Sequence, residues 1–287
     1  MQPSSRQSSL HRTRASRLYA AAAAALVFPL MSAAPPDPTL AAAAKGVAQI
    51  VAHRGSSADR PENTLAAYRR AVETGATAIE IDLRLTRDGR LVSLHDPGLD
   101  RTTDGSGLVS AKSLADVLQL DAGSWFGAAY RGERIPTLRQ ILQLAKGRID
   151  ILLDLKEQGA AYCDQIVRDV RRYGEPDRII AGVRSVEQAR YFRRHLPQAR
   201  QIGLIPSQGD IEAFAAAGVK LIRLWPHWLR EMGLVERVRA SGAELHVSAD
   251  RGSRDEVVAV LEHRPVSLST DDPARLLRTL KELRSGS

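Results

Sequence analysis

The segment AIEIDLRLTRDGRLVSL, residues 78–94, decides the fold. From Ala78 to Leu85 apolar residues alternate with Glu80, Asp82 and Arg84, and Leu91 to Leu94 is again rich in aliphatic side chains, so both runs read as strands. Only Thr86 to Arg90 stand between them, too few for a helix, and Asp88-Gly89 in that gap is a strong hairpin signal. A turn centred on Asp88-Gly89 makes paired positions sum to about 177, which sets Asp82 opposite His95 and Glu80 opposite Pro97.

On either side of this hairpin the chain alternates between two periods. Extended runs at Gln49–Ala52, Ile149–Leu155, Arg178–Val183, Gln201–Ile205, Lys220–Trp225, Glu244–Ala249 and Val266–Thr270 join the two above to make nine candidate strands. Helical periodicity fills Thr64–Thr74, Thr137–Ala145, Ala160–Arg172, Val186–His195, Asp210–Ala217, Leu229–Ser241, Arg254–His263 and Pro273–Leu283. Such alternation specifies parallel α/β architecture. Counting the hairpin as one barrel strand with a returning arm leaves eight strand–helix units in residues 49–287. That is the plan of a TIM (β/α)8 barrel, which takes about 250 residues. A doubly wound open sheet is the alternative, but no Gly-x-Gly-x-x-Gly follows the first strand. Residues 97–136, rich in Gly, Asp, Thr and Ser with one amphipathic piece near Ser113–Leu120, break the rhythm. They read as an insertion at the catalytic end of the barrel, because they leave from the arm that carries His95.

Composition narrows the class. With 287 residues, 44% of them hydrophobic, the chain is neither disordered nor collagenous. Its 41 Lys+Arg against 33 Asp+Glu give a formal charge of +8, which raises nucleic acid or an acidic membrane as partners. The location of that charge lowers both. Residues 1–44 hold Arg6, Arg12, Arg14 and Arg17 against Asp37, so only +5 belongs to the rest. This basic start leads through the apolar stretch Leu18–Met31 to small residues at Ser32, Ala33 and Ala34, the layout of a secretory signal peptide. The reading is a signal over residues 1–34, cleaved at the latest within Ala41–Ala44, then a linker over 35–48. The apolar stretch is short for a bilayer span, so no stable membrane insertion is expected after cleavage, and the mature protein is expected to be periplasmic or secreted. Cys163 is the only cysteine, lies among Tyr162, Ile166 and Val167 at helical spacing, and reads as a packed core thiol. Arg171, Arg172, Arg193 and Arg194 read as solvated helix-end charges.

Polar residues at the C-terminal ends of barrel strands are where a TIM barrel keeps its chemistry. In order these are His53-Arg54 after the first strand, Glu80 and Asp82 in the second, His95-Asp96 on the returning arm, and Asp154 and Lys156 at the next strand. Residues two apart on a strand share a face, so each of the pairs Glu80/Asp82 and Asp154/Lys156 can point inward together. Glu-x-Asp alone signals little, and a single strand-end histidine is more often structural. The conjunction is specific: three converging carboxylates ask for a cation, and oxygen ligands suit Mg²⁺ or Ca²⁺. Arg54 and Lys156 beside that cation would hold a phosphate, and two histidines can share acid and base work near neutral pH. Phosphodiester cleavage follows.

The chain resembles the glycerophosphodiester phosphodiesterase family from about Val51 to Pro273. His53-Arg54-Gly55, Pro61-Glu62-Asn63-Thr64, Glu80-Ile81-Asp82, the Asp88-Gly89 turn and His95-Asp96-Pro97 follow that family's signature in order and spacing. Gly123-Ser124-Trp125-Phe126, Ile135-Pro136-Thr137-Leu138 and Thr270-Asp271-Asp272-Pro273 extend it. The resemblance implies catalytic roles for His53 and His95 and metal ligation by Glu80, Asp82 and Asp154. It also implies phosphate contacts from Arg54 and Lys156 and support from Glu62 and Asn63. Asn63 also reads as the N-cap of the helix that starts at Thr64. The implied substrate is a small-molecule glycerophosphodiester, giving sn-glycerol 3-phosphate and an alcohol, with a neighbouring substrate hydroxyl as one candidate nucleophile. Nucleic acid is not an expected partner.

Two positions depart from the family pattern. Asp154 stands where Glu is usual, so the third ligand is one methylene short and needs a strand shift or a bridging water to reach the cation. Val247-Ser248 stands where Trp-Thr is common near the glycerol, and Trp225 or Trp228 could replace that aromatic wall or simply pack a loop. Cleavage of intact phospholipids, as in sphingomyelinase-like barrels, and a catalytically impaired phosphate-binding barrel are the alternatives.

Overall fold

The computed structural model describes residues 38–285, so the expected signal over residues 1–34 lies outside the described residues. Among the described residues nine strands form one sheet: β1 (Gln49–Ala52), β2 (Ala78–Leu85), β3 (Leu91–Ser93), β4 (Asp150–Leu155), β5 (Ile179–Val183), β6 (Arg200–Gly203), β7 (Leu221–Arg223), β8 (Glu244–Ser248) and β9 (Ser267–Thr270). The order β1-β9-β8-β7-β6-β5-β4-β2 closes on itself because β1 also pairs with β2, giving an eight-stranded parallel TIM barrel. β3 lies antiparallel on β2 as the expected returning arm.

The α-helices are α1 (Pro38–Gly46), α2 (Leu65–Thr74), α3 (Leu114–Val117), α4 (Leu138–Ala145), α5 (Ala160–Tyr173), α6 (Val186–His195), α7 (Ile211–Ala216), α8 (Leu234–Ala240), α9 (Arg254–Leu261) and α10 (Pro273–Ser285). Several start where a hydroxyl can accept a backbone N–H. Thr64 caps α2, Thr137 caps α4 with Gln140 answering, and Ser185 caps α6. The helix expected over Leu229–Ser241 starts only at Leu234, because Pro226–Arg230 winds as a 3₁₀ turn and Gly233 takes φ 81°.

Two apolar layers hold the barrel. The larger lies between strands and helices and includes Tyr68, Ile79, Ile81, Phe192, Phe214 and Cys163, which is the expected packed thiol. The smaller fills the barrel's interior with Val51, Ala78, Leu152, Ile180, Ile202 and Leu204, with Leu221 packed against them. Burying a Val, Leu or Ile side chain in this way contributes roughly 1.5–3 kcal/mol. This plug supports the mouth above it.

Two further expectations change. The hairpin pairs Leu83 with Ser93, Arg84 with Val92 and Leu85 with Leu91, a sum of 176 and not 177. Thr86 N donates to Arg90 O at 2.9 Å, so the loop has three residues, with Gly89 at φ 71° and Asp88 tied to Thr86 and Leu114. Asp82 therefore faces Leu94, whose N–H donates to Asp82 O at 3.0 Å, and His95 sits one residue further out. Secondly, most of the expected linker is α1, which packs on α9 and α10 with Ala43 and Ala44 buried. Arg284 of α10 donates to Ala44 O and Val47 O, both at 3.1 Å, which ties the carbonyl end of α1 to α10. The insertion has a core of its own, Leu99, Val109, Val117, Ala122 and Ile135, continuous with Val92 and Leu94 of the hairpin arm. It thus braces the segment that carries His95.

Candidate active site

The two-residue period of the strands builds the site. Two positions beyond the interior plug, Val51 leads to His53, Ala78 to Glu80, Leu152 to Asp154 and Leu221 to Arg223. Four positions beyond it, Asp82, Lys156 and Arg184 rise from β2, β4 and β5, and Asp271 follows Ser269 at the end of β9.

Glu80, Asp82 and Asp154 are all buried, and each offers an oxygen within 4.8 Å of the others. Asp82 and Asp154 are register partners across β2 and β4, in pairing that runs unbroken from Ala78–Asp150 to Leu83–Leu155. Asp154 therefore joins the cluster within regular strand register despite its shorter side chain. Burial and the charge of Asp82 push the Glu80 carboxyl up to about 8. Asp82 goes the other way: burial opposes its charge, but Lys156 and Arg54 outweigh burial and hold its pKa well below the usual range. Lys156 Nζ bridges Asp82 Oδ1 at 2.8 Å and Asp154 Oδ2 at 2.6 Å. Asp82 Oδ1 is buried and, that ion-pair contact aside, accepts no hydrogen bond. A buried all-oxygen donor set in which one carboxyl is forced towards neutrality fits a hard divalent cation.

Each histidine is held by its own carboxylate. His53 donates Nδ1–H to Asp271 Oδ1 at 2.8 Å, and His95 donates Nδ1–H to Asp96 Oδ1 at 2.7 Å, which leaves both Nε2 atoms for proton exchange. Burial opposes the charge on His53, yet the Asp271 hydrogen bond and the field of Glu80 outweigh it and raise its pKa above 6.5. On His95 burial prevails over the Asp96 hydrogen bond, so its pKa falls below 6.5. Arg84 fixes the ring's backbone by donating to His95 O from both Nε and Nη2.

The loop after β1 turns sharply to aim Arg54. Arg54 and Asn63 take left-handed φ of 56° and 57°, and Gly55 between them takes 85°. A Cβ on Gly55 would lie 2.6 Å from Ala67 Cβ, so only glycine lets this loop lie on α2. Arg54 N donates to Glu80 Oε2 at 2.8 Å, and its guanidinium meets Glu62 at 3.0 Å and Asp82 at 3.4 Å. Asn63 donates Nδ2–H to Asp82 Oδ2 at 2.7 Å and accepts from Tyr68 and Ser93 through Oδ1. It orients a carboxylate and does not cap α2; that task falls to Thr64. Arg101 of the insertion forks onto Glu62 at 2.8 Å and also binds Asp96, so one guanidinium joins the Arg54 loop to the His95 arm.

A sequence profile of the "Glycerophosphoryl diester phosphodiesterase family" matches residues 53–275. The chain belongs to this family. It is 32% identical over 241 residues to a glycerophosphodiester phosphodiesterase of Caldanaerobacter subterraneus subsp. tengcongensis, covering 81% of this chain and 98% of that one. The solved glycerophosphodiester phosphodiesterase of Agrobacterium tumefaciens superposes with a TM-score of 0.70 at 28% identity, over 80% of this chain and 99% of that one. A phosphodiesterase of Oleispira antarctica, solved with the product sn-glycerol-3-phosphate, gives 0.74 at 25% identity over 83% and 99%.

Within this glycerophosphodiester phosphodiesterase chain the structure brings together all nine residues singled out from sequence: His53, Arg54, Glu62, Asn63, Glu80, Asp82, His95, Asp154 and Lys156. It adds others. Asp271 stood in a quoted motif without a role, Asp96 stood beside His95, and Arg101, Arg184 and Arg223 gave no signal. Arg184 clamps Asp154 with Nε to Oδ1 at 2.9 Å and Nη2 to Oδ2 at 2.8 Å. Trp228 packs against the main core as a loop anchor, while Trp225 is 38% exposed and lies against Arg223. Val247 points away from the mouth into the outer core, and Ser248 points in.

Proposed function

We propose that this protein hydrolyses glycerophosphodiesters to sn-glycerol 3-phosphate and an alcohol, using a divalent cation, Mg²⁺ or Ca²⁺, held by Glu80, Asp82 and Asp154. The observation that carries the reading is the pair of carboxylate-held imidazoles, His53 and His95, at a mouth whose floor is a buried carboxylate cluster. The cation would neutralise phosphate charge as it develops. Arg54 and Lys156 bind the non-bridging oxygens. One imidazole takes the proton from the attacking hydroxyl, of substrate or water, as its oxygen bonds to phosphorus. The other delivers a proton to the alkoxide as its bond to phosphorus breaks. Asp271 and Asp96 hold each ring in the tautomer with Nε2 available and stabilise the charged form. The Oleispira antarctica enzyme's product supports glycerol 3-phosphate as the common product.

Purified protein assayed on a panel of glycerophosphodiesters, with EDTA and then Mg²⁺ or Ca²⁺ restored, tests this. Turnover that needs the metal, and its loss in both His53→Ala and His95→Ala with folding retained, is expected; near-normal activity in either variant refutes the assignment. Cleavage of intact lipids draws on Trp225, exposed beside the mouth, and phospholipids belong in the same panel. A non-catalytic phosphate-binding barrel does not explain why both imidazoles are carboxylate-oriented.

Among the described residues no helix is long and apolar enough to cross a membrane. We further propose export with cleavage near Ala34, because cleavage within Ala41–Ala44 would cut α1, whose Ala43 and Ala44 are part of the core. Nucleic acid is not a proposed partner.

A further inference from the structure

Four strand ends bring a cationic side chain to the mouth, and three of these rest on carboxylates: Arg54 on Glu62, Lys156 on Asp82 and Asp154, and Arg184 on Asp154. Arg223, the fourth, has no carboxylate at ion-pair distance among the described residues. Its Nη2 donates to Ser248 Oγ at 3.1 Å, and Ser248 Oγ meets Ser269 Oγ at 2.9 Å. Its Cζ lies 3.9 Å from the centroid of the Trp225 ring, and its Nε is buried without a partner. Burial holds its pKa below the ordinary arginine value against the fields of Asp154, Glu80 and Asp250. A guanidinium held over an indole ring and pinned at one edge is restrained in place, and its remaining N–H groups can donate to an oxygen ligand. Burying it without a counter-charge is costly unless a ligand brings one.

Its position says which part of a ligand it meets. In the closed order β7 stands four strands from β2 in either direction, so Arg223 faces the Glu80 and Asp82 wall from the opposite side. A phosphodiester seated on Arg54 and Lys156 would have room to direct one of its two substituents towards that far wall. A quaternary ammonium gains nothing there, because Arg223 covers a Trp225 face and adds like charge.

We propose that Arg223, braced by Trp225 and Ser248, forms a second anion subsite, which binds a negatively charged group, phosphate or carboxylate, carried by the substrate outside the scissile phosphodiester. The inference rests on the phosphodiesterase reading and specifies its substrate class.

Two matched pairs test it: glycerophosphoinositol against its 4-phosphate, and glycerophosphoethanolamine against glycerophosphoserine, which differ by one phosphate and one carboxylate. Wild-type kcat/KM should favour the more anionic member of at least one pair by about tenfold or more. Which pair shows the preference distinguishes phosphate from carboxylate. Arg223→Gln should bring that ratio close to one, and Arg223→Lys should keep an intermediate value. Because the ratio is taken within each protein, a general loss of folding or catalysis cancels. No preference in either pair, or an unchanged ratio in Arg223→Gln, overturns the subsite. If no diester is hydrolysed, the phosphodiesterase reading fails by itself. Calorimetric titration with glycerophosphoinositol 4-phosphate then judges the subsite separately: binding about tenfold weaker in Arg223→Gln supports it, and equal binding overturns it.

Discussion

Replacing Asp271 by Asn tests the part of the site that organises His53. Asp271 accepts the His53 Nδ1–H at 2.8 Å and raises the imidazole's pKa. A hydrogen bond to a charged group contributes about 1.5–3 kcal/mol, and with the Asp271 side chain 41% exposed, solvent screening brings this to the low end, about 1.5 kcal/mol. At 1.36 kcal/mol per pH unit, that is a fall of about one unit in the His53 pKa. Activity needs one imidazole charged and one neutral, so kcat/KM should follow a bell whose alkaline limb belongs to the raised His53 and whose acid limb belongs to the lowered His95. The bell has this form whichever ring acts as base. Asp271→Asn should move the alkaline limb about one unit towards acid and leave the acid limb in place. An Asn amide can also donate to Nδ1 and force the ring proton onto Nε2, a tautomer error that costs up to about 10⁴ in kcat in comparable carboxylate–histidine pairs. The assay is a pH series of kcat and kcat/KM on one diester at saturating metal, with the unfolding midpoint as a control. An alkaline limb that stays in place, with kcat within about threefold of wild type, refutes the His53–Asp271 coupling.

Other consequences are equally direct. Glu80 holds a proton up to about pH 8, so metal binding must displace it, and apparent metal affinity should rise from pH 6 to pH 8 with proton release, measurable by calorimetry in buffers of different ionisation enthalpy. In EDTA a charged Glu80 is a burden on the fold: its pKa is raised, so stability falls as pH climbs from about 4.5 to about 8, and Glu80→Gln should remove that loss. The apo variant should then melt higher than wild type at pH 8, by at least the roughly 2–4 °C that 1 kcal/mol is worth in a domain of this size, while losing metal-dependent activity. Gly55→Ala should lower both stability and kcat, because the added Cβ meets Ala67 at 2.6 Å and displaces the loop that aims Arg54; an unaltered melting curve contradicts that packing. Arg101→Ala, at a side chain 44% exposed, should leave the melting temperature nearly unchanged yet cut kcat about tenfold by releasing Asp96 and Glu62; full activity would show that the insertion does not position His95.

Most of the barrel was legible because each parallel strand is a short aliphatic run set off by a helix with its own period. β1, β2 and α6 begin and end where the residue pattern places them. The carboxylates and histidines were legible because charge at the end of an apolar run has little reason to be there without chemistry. What failed was parity. Strands buried on both faces show no alternation, so sequence did not reveal that Arg184, Arg223 and Asp271 share the interior face with Asp154 and Leu221. The hairpin slipped by one for a related reason: Asp88-Gly89 suits a two-residue turn, but the Asp88 carboxylate also serves Leu114 N of the insertion, and a three-residue loop results. Arg101 was invisible because the small core that orders the insertion around it is formed by residues far apart in sequence.

The clasp between α1 and α10 has a practical meaning for handling this enzyme. Arg284 reaches Ala44 O, and Pro38 lies six residues earlier on the same short helix, on the order of 9 Å away at 1.5 Å per residue. A few glycines could join residue 285 to residue 38, and the chain could be reopened elsewhere, as a circular permutant. Because α1 precedes β1 and α10 follows β9, that seam runs along the end of the barrel remote from the strand C-termini. A carrier protein, dye or surface attached there would leave the substrate's approach clear.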